Sequence, residues 1–390
     1  MKPLHHVHSK PIRTLKEIDV LSRQVFLRLD LNVPLSSSNE ITDDTRITEA
    51  IPTIEYLLQN RAKLIIGSHL GRPKGQRKPE FSLEPVGAHL AKLLNKEVTL
   101  AQDCIGEGIE LMARCLQPGQ ILLLENLRFH PEEEKNDPLF AQALSRLCDV
   151  YITDAFGTCH REHASTYGLP EVMAEKGMGF LIEKELKYLN PLVHSPKKPL
   201  VVILGGAKVS DKIQAISSLM KHMDTLLIGG AMAFAFEKAQ GKQIPPAAKQ
   251  PSAEDVECAQ RILRETRKKD LPVFLPKDTL DGFDIGPETV ALFKEKLAPA
   301  ATVFWNGPLG WFEKPDYAKG TFKIAEFLAN HSSIRIVGGG DTVSAIKQSR
   351  TAEKFDHLST GGGAVLEYLA HRKLPGIEIL RTAPGAPRPL

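Results

Sequence analysis

The feature that most constrains this chain is a unit that recurs along its whole length. A short run rich in Leu, Ile and Val is followed by a turn of Gly, Pro, Asn or Asp, and then by a stretch with helical periodicity. The first half carries it in QVFLRLDLNVP, AKLIIGSHLGRP, EVTLAQDC, QILLLENLRF and DVYITDAFGT. The second half carries it in PLVVILGGAK, DTLLIGGAMA, LPVFLPKD, ATVFWNGPLG, IRIVGGGDT and HLSTGGGA. Helical segments such as ITEAIPTIEYLLQN and KIQAISSLMKHM lie between them; in the second, Ile213, Ile216, Met220 and Met223 recur at helical spacing, which predicts core packing. Strands alternating with helices predict an α/β fold whose parallel sheets are covered on both faces. The polar residues of interest fall just after the strands, on the rim where open α/β sheets bind ligands.

A chain of 390 residues, 42% hydrophobic and 25% charged, has enough apolar material for two cores without disulfide staples. The boundary is placed near 185–199, where KELKYLNPLVHSPKKPL carries a helix into a Pro/Lys-rich connection. Five cysteines (Cys104, Cys115, Cys148, Cys159 and Cys258) show no C-x-x-C pair, which argues against a zinc ribbon or disulfide framework and for a reducing, cytoplasmic setting. No run of about twenty apolar residues predicts a membrane span. The His-rich start, with His5, His6 and His8, lacks the apolar stretch of a secretory signal and reads as a frayed terminus able at most to bind metal weakly. Net charge is only +3, with no Lys/Arg block, so a nucleic-acid partner is not expected.

The turns of the two halves differ. Those of the second half are glycine-rich: Gly205-Gly206, Gly229-Gly230, Gly338-Gly339-Gly340 and Gly361-Gly362-Gly363. Glycines between a strand and a helix let the backbone approach a phosphate with its N–H groups forward. Four such turns point to a nucleotide or polyphosphate site, although neither a G-x-x-x-x-G-K-[ST] loop nor a G-x-G-x-x-G fingerprint is present. Lys208 and Lys212, at i and i+4, would share one helix face beside the first turn. Asp341 either caps the helix after the triple glycine or holds Mg²⁺ on a nucleotide; spacing alone leaves both open. The turns of the first half are basic, with Asp30, Asn32, Arg46, His69, Arg72, Arg128, His160, Arg161 and His163. Several arginines at one rim of an almost neutral chain suggest an anion pocket. His160 and His163 have no evident third and fourth partner for zinc. Cys159, beside that pocket, reads as a quiet thiol.

Taken in order, RLDLNVP, SHLGRP, LLLENLRFHPEEEKND, DAFGTCHREHAS, LGGAKVSDKI, LIGGAMA, DIGPETV, FWNGPLGWFE, GGGDTVSAI and STGGGA resemble the phosphoglycerate kinase family over nearly the whole chain. The resemblance implies two Rossmann-like domains with parallel sheets, bilobal, with a central cleft and hinge. It implies a phosphoglycerate-binding domain over 1–185, a nucleotide-binding domain over 186–370, and a segment, 371–390, returning to the first. By similarity, Asp30, Asn32, Arg46, His69, Arg72, Arg128 and Arg161 surround 3-phosphoglycerate or 1,3-bisphosphoglycerate. Lys208, Lys212, Gly229, Gly230, Asn306, Glu313, Gly339, Gly340, Asp341 and Thr342 surround ADP or ATP, with Asp341 on Mg²⁺ and Glu313 at the ribose. Arg46, Lys208 and Gly340 are then the catalytic set, acting in a monomer. The stretch Gly241–Ile285 is shorter than usual for the family, LPVFLPKDTLDGFDIG is compressed, and the tail after GIEIL is long.

The implied chemistry fits the residue types. A carboxylate or phosphate nucleophile is already ionised at neutral pH, so positioning and charge stabilisation suffice and no general base is needed. Hinge closure would exclude water from the acyl phosphate. A nicotinamide-dependent dehydrogenase is the competing enzyme reading, opposed by the missing fingerprint and the basic rim. A non-catalytic relative acting as a binding protein is the competing reading of another class, supported only by the shortened region.

Overall fold

The computed structural model describes residues 11–246 and 248–381. His5, His6 and His8, and most of the tail after GIEIL, lie outside the described residues. The chain divides into two compact units: one takes it up to Lys184 together with the stretch from Lys373 onward, and the other runs Glu185–Arg372.

In the first unit, six parallel strands are β1 (Gln24–Arg28), β2 (Lys63–Gly67), β3 (Thr99–Leu100), β4 (Ile121–Leu123), β5 (Val150–Thr153) and β6 (Glu175–Met178), in the order β3-β4-β2-β1-β5-β6. β1 is central: Val25 faces Leu64 of β2 on one side and Val150 of β5 on the other. The sheet grows from β1 towards β2 and later in the opposite direction through β5, so its switch point lies between β1 and β5. Strands buried on both faces need apolar residues at every position, which is why VFL, LII and VYI run continuously instead of alternating. The helix Thr45–Gln59 buries Ile47, Ala50, Ile54 and Leu57, one stripe at helical spacing, against Leu27, Leu64, Ile66 and Ile152.

β6 has no counterpart in the recurring sequence unit. Its residues, EKGM, include no β-branched side chain. The strand is held by its parallel ladder to β5 and by the Met178 N–H donating to the Arg13 carbonyl at 3.0 Å, with Gly177 packed so closely that a Cβ would stand 2.6 Å from the same carbonyl oxygen. The described end of the chain, through the helices Pro375–Glu378 and Ile379–Arg381, rests on this same unit, with the Gly376 N–H donating to the Cys159 carbonyl at 2.9 Å.

The second unit repeats the plan with β7 (Leu200–Leu204), β8 (Thr225–Ile228), β9 (Val273–Phe274), β12 (Thr302–Asn306), β13 (Ile334–Gly338) and β14 (His357–Leu358), all parallel, in the order β14-β13-β12-β7-β8-β9. An antiparallel hairpin of β10 (Thr279–Leu280) and β11 (Asp284–Ile285) stands apart from that sheet. Its switch point lies between β7 and β12, whose registers pair Leu204 with Asn306. The core gathers Val201, Ile203, Phe293, Trp305, Ile324 and Val337. The helix carrying Ile213 and Ile216 ends at Leu219, one residue short of Met220. Met220 and Met223 are buried from the following turn, in which the Met223 N–H bonds back to the Leu219 carbonyl. Periodicity alone extends that helix too far.

The five cysteines are free, and among the described residues no helix is long and apolar enough to cross a membrane.

Candidate functional sites

In the first unit the segments leaving the carboxyl ends of β1, β2, β4 and β5 deliver the basic residues to one rim. Arg28, the last residue of β1, is 1% exposed and anchored from every side. Its Nε donates to Ser165 Oγ at 2.7 Å, Nη1 donates to the Leu29 carbonyl, and Nη2 stands 3.5 Å from His69 Nδ1. Ser165 in turn donates to the buried Glu133 carboxylate at 2.6 Å, so a counter-charge lies one hydrogen bond away. Arg46, at the start of the helix Thr45–Gln59, donates to the Asn32 carbonyl at 2.8 Å and pairs with Asp30 at 3.3 Å. Asn32 Oδ1 accepts from the Gly71 N–H, tying β1's loop to β2's. Arg128 donates to the Gly71 carbonyl at 2.9 Å and pairs with Glu134 at 3.3 Å.

The electrostatics show that these groups converge. Burial, reinforced by the charges of Arg28, Arg128, Arg46 and Arg161, holds the His69 imidazolium well below its ordinary pKa, so this histidine is neutral. His163 is pushed down to about 3 by burial and by Arg128, Arg28 and Arg161. Burial lowers even Arg128 to about 10, against the pull of Glu134. Arg161 donates from Nε to His160 Nε2 at 3.1 Å. Four arginines therefore surround His69, and the charges of Arg161 and Arg28 also bear on Arg128, an arrangement that favours an anion among them. Arg72 projects from the β2 loop and is exposed. Burial pushes the Cys159 thiol up to about 12, which makes it unreactive as the sequence suggests. Sequence reasoning missed Arg28. The available signal was a lone arginine ending an otherwise apolar strand that is buried on both faces.

In the second unit, the turns after β7, β12 and β13 and the Gly362-Gly363 turn enclose a cleft of about 470 Å³. Lys208, Lys212, Asn306, Gly339, Gly340, Asp341 and Thr342 all line it. The helix Gly340–Gln348 points its amino end into the cleft, with Gly339 at φ +94° before its first turn. Thr342 Oγ1 accepts from the Gly307 N–H at 2.6 Å, and Asn306 Nδ2 donates to the Gly338 carbonyl at 2.8 Å, locking the β12 and β13 turns together. Lys212 donates to Asn306 Oδ1. Burial lowers the Lys212 ammonium to about 8, although Asp211 and Asp341 oppose the shift.

One expectation is corrected and one open alternative is closed. Lys208 and Lys212 do not share a helix face: Lys208 lies in the turn, Lys212 closes a 3-10 segment, Ser210–Lys212, and the α-helix begins at Ile213. The Asp255 carboxylate takes the N–H groups of Val209 and Ser210 and delays the helix, yet both lysines still reach the cleft. Asp341 is not a helix cap either. The cap position is Gly339, and Asp341 is an exposed first-turn residue on the cleft wall. Gly229 packs against Leu309 outside this lining, Gly230 borders an adjoining recess with Phe234, Phe283 and Leu309, and Glu313 is exposed and lines neither space.

Arginines gathered at the rim of one doubly wound sheet and a lysine- and glycine-lined cleft at the switch point of another are what an α/β kinase of small molecules needs. Comparison with known proteins gives the family. Its description, Phosphoglycerate kinase, matches the chain over residues 15–281 and 277–372. Those two stretches overlap inside 271–286, the segment that the sequence marks as compressed and that here forms the β10–β11 hairpin. A phosphoglycerate kinase of Anaeromyxobacter sp. (strain Fw109-5) is 46% identical over 95% of this chain and 99% of its own. One of Koribacter versatilis (strain Ellin345) is 47% identical over 94% and 98%. The solved phosphoglycerate kinase from Coxiella burnetii, 35% identical, superposes with a TM-score of 0.83 over 95% of this chain and 99% of that one. The chain belongs to the phosphoglycerate kinase family.

Proposed function

We propose that this enzyme transfers a phosphoryl group reversibly between 1,3-bisphosphoglycerate and ADP, giving 3-phosphoglycerate and ATP. The observation that carries the reading is the cleft of the second unit, where two lysines, the glycine turns and the amino end of Gly340–Gln348 converge. It is joined by the neutral His69 held among four arginines in the first unit. The first-unit pocket would hold the phosphoglycerate through Asp30, Asn32, Arg46, His69, Arg72, Arg128 and Arg161. The second-unit cleft would hold the nucleotide phosphates through Lys208, Lys212, Gly339, Gly340 and Thr342. Asn306 would orient Lys212, and by the family resemblance Gly229, Gly230 and Glu313 would lie towards the nucleoside, with Glu313 at the ribose. Arg46 and Lys208 would clamp the transferring group while the Gly340 N–H takes up charge that develops on it.

The residues present fit Mg²⁺. Asp341 offers one exposed carboxylate on the cleft wall, and Mg²⁺ is held by one or two carboxylates together with phosphate oxygens. Asp341 would hold it, and the ion would supply charge neutralisation on the nucleotide phosphates. The neutral His69 adds no positive charge of its own among the arginines, which would fix carboxylate and phosphate bidentately. Transfer between ligands held on two units calls for closure around both, seen as a smaller radius of gyration by solution scattering when both substrates are added. We expect a cytoplasmic monomer, checked by sedimentation.

The test is a coupled assay for 1,3-bisphosphoglycerate formation from 3-phosphoglycerate and Mg-ATP. Turnover typical of kinases, about 1–100 s⁻¹, supports the reading. No turnover with a folded protein overturns it and leaves the binding-protein alternative.

A further inference from the structure

The rim of the first sheet continues beyond the arginine pocket. β3 and β4 are neighbours there, with Leu100 facing Leu123, so the segments leaving their carboxyl ends run side by side. One carries Asp103 and Cys104; the other carries Glu125 and, two residues past Arg128, His130. His130 Nε2 lies 2.5 Å from Asp103 Oδ1. Cys104 Sγ is buried and donates to the Glu125 carbonyl at 2.9 Å. Phe140 lies against the His130 ring, centroid to centroid 5.0 Å, and holds its orientation. One ligand atom from each of Asp103, Cys104 and His130 falls within 4.8 Å of the other two. The transfer reaction uses none of these three groups.

We propose that Asp103, Cys104 and His130 form a binding site for a borderline-soft divalent cation of the Zn²⁺ class, with water in the fourth position. The donor set decides the class. Zn²⁺ takes thiolate sulfur, imidazole nitrogen and carboxylate oxygen together, at about 2.0–2.3 Å in a tetrahedron. Mg²⁺ and Ca²⁺ call for oxygen alone, so this site is chemically distinct from one on nucleotide phosphates. Donors around such an ion stand roughly 3.3–3.8 Å apart, so Asp103 Oδ1 must swing away from His130 Nε2, now at 2.5 Å, to admit it. Asp103 makes the adjustment, because it sits in the loop after β3 with its side chain 47% exposed, while Cys104 and His130 are packed in place. Cys104 enters as thiolate and its proton goes to solvent.

The experiment is a Co²⁺ titration of the full chain followed by absorbance. A thiolate-to-cobalt charge-transfer band that saturates at one equivalent and is displaced by Zn²⁺ is the expected result. His5, His6 and His8 also offer nitrogen ligands but no sulfur, so H5Q/H6Q/H8Q should leave the band intact. Cys104→Ser should abolish it. Asp103→Asn, changed on the exposed side and expected to melt with the wild type, should weaken Co²⁺ binding by on the order of tenfold or more, and His130→Gln likewise. Absence of the band overturns the proposal. So does a band that survives Cys104→Ser, or unchanged affinity in Asp103→Asn and His130→Gln, and this last pair decides the matter should Cys104→Ser fail to fold.

Discussion

The carboxylate of Asp255 accepts a hydrogen bond from the backbone N–H of Val209 at 2.8 Å, across 46 residues of sequence. The same carboxylate takes the Ser210 N–H at 3.0 Å and the Ser252 hydroxyl at 2.7 Å. Between Gly206 and Ile213 the chain thus has a side-chain acceptor where a helix would have used its own carbonyls, and the turn that aims Lys208 and Lys212 is pinned from outside.

Asp255→Ala should therefore act on one unit only. Leaving buried N–H groups unsatisfied costs about 1–3 kcal/mol, and the lysines lose their placement. Nucleotide affinity should fall while 3-phosphoglycerate affinity stays at the wild-type value, read by calorimetry with each ligand in turn. Burial opposes ionisation of Asp255, yet the bonds from Ser252, Ser210 and Val209 together hold it below its ordinary value. A carboxylate lowered on folding gives stability that is present above its unfolded pKa and lost as pH falls through the folded one. Denaturant melts of wild type should show an acid-side loss that is smaller in the variant.

Lys212 carries the opposite bargain. Burial brings its ammonium down to about 8. At roughly 1.4 kcal/mol per tenfold change in a protonation equilibrium, keeping that charge in the ligand-free fold costs on the order of 1–3 kcal/mol. Between about 8 and the unfolded lysine value the unfolded chain binds more protons, so this group's contribution to stability rises with pH across that window. Lys212→Met should stabilise the ligand-free protein below pH 8 and weaken nucleotide binding. In the wild type, nucleotide affinity should fall as pH rises through about 8, where the donor to the phosphates loses its charge. Equal melting of the two proteins at pH 7 would contradict this account.

Much of the architecture was written locally. The runs VFL, LII, VVIL and VFW are apolar at every position, and only a strand covered on both faces needs that. The site rim followed, since ligands gather at strand carboxyl ends. What escaped was set by partners distant in sequence. β6 is held by its ladder to β5 and by the Met178 N–H on the Arg13 carbonyl, and the late start of the helix at Ile213 is imposed by Asp255. Neither effect leaves a trace in periodicity. Arg28 was missed because an arginine in a strand ordinarily reads as an exposed edge; its burial depends on Ser165 and, through it, Glu133.

Arg46 tests the transfer chemistry. Its pairing with Asp30 is a single contact at 3.3 Å with the Arg46 side chain 32% and the Asp30 side chain 11% exposed, and such partly exposed pairs contribute little to stability, about 0–1 kcal/mol. If Arg46 stabilises charge on the transferring group, Arg46→Ala should lower turnover by about a hundredfold to a thousandfold, equivalent to roughly 2.7–4 kcal/mol, with a nearly unchanged melting temperature. The coupled assay and a thermal melt together separate this from a folding defect. Turnover within a few-fold of wild type would remove Arg46 from the clamp.

Two glycines of the second unit should respond in opposite ways to the same added methyl group. At Gly205, directly after β7, a Cβ would stand 2.2 Å from the Pro308 carbonyl oxygen and 2.5 Å from that of Gly307. Both neighbours are backbone, fixed by Gly205 N–H donating to Asn306 and Gly206 N–H to Pro308, so neither can swing aside. Gly205→Ala must separate β7 from β12 at the switch point. We expect a loss of about 1–3 kcal/mol in denaturant melts, the usual scale for overpacking, together with weakened nucleotide binding. At Gly340 an added Cβ meets nothing within 4 Å and φ is not positive. Gly340→Ala should leave stability within about 0.5 kcal/mol of wild type, since alanine suits a helix better than glycine. Its methyl group nevertheless enters the cleft beside Asp341, where a phosphate must approach the helix amino end. Nucleotide affinity and turnover should both fall in a protein that melts normally. Intact nucleotide binding in Gly340→Ala would place the phosphates elsewhere in the cleft and would remove the Gly340 N–H from the catalytic set.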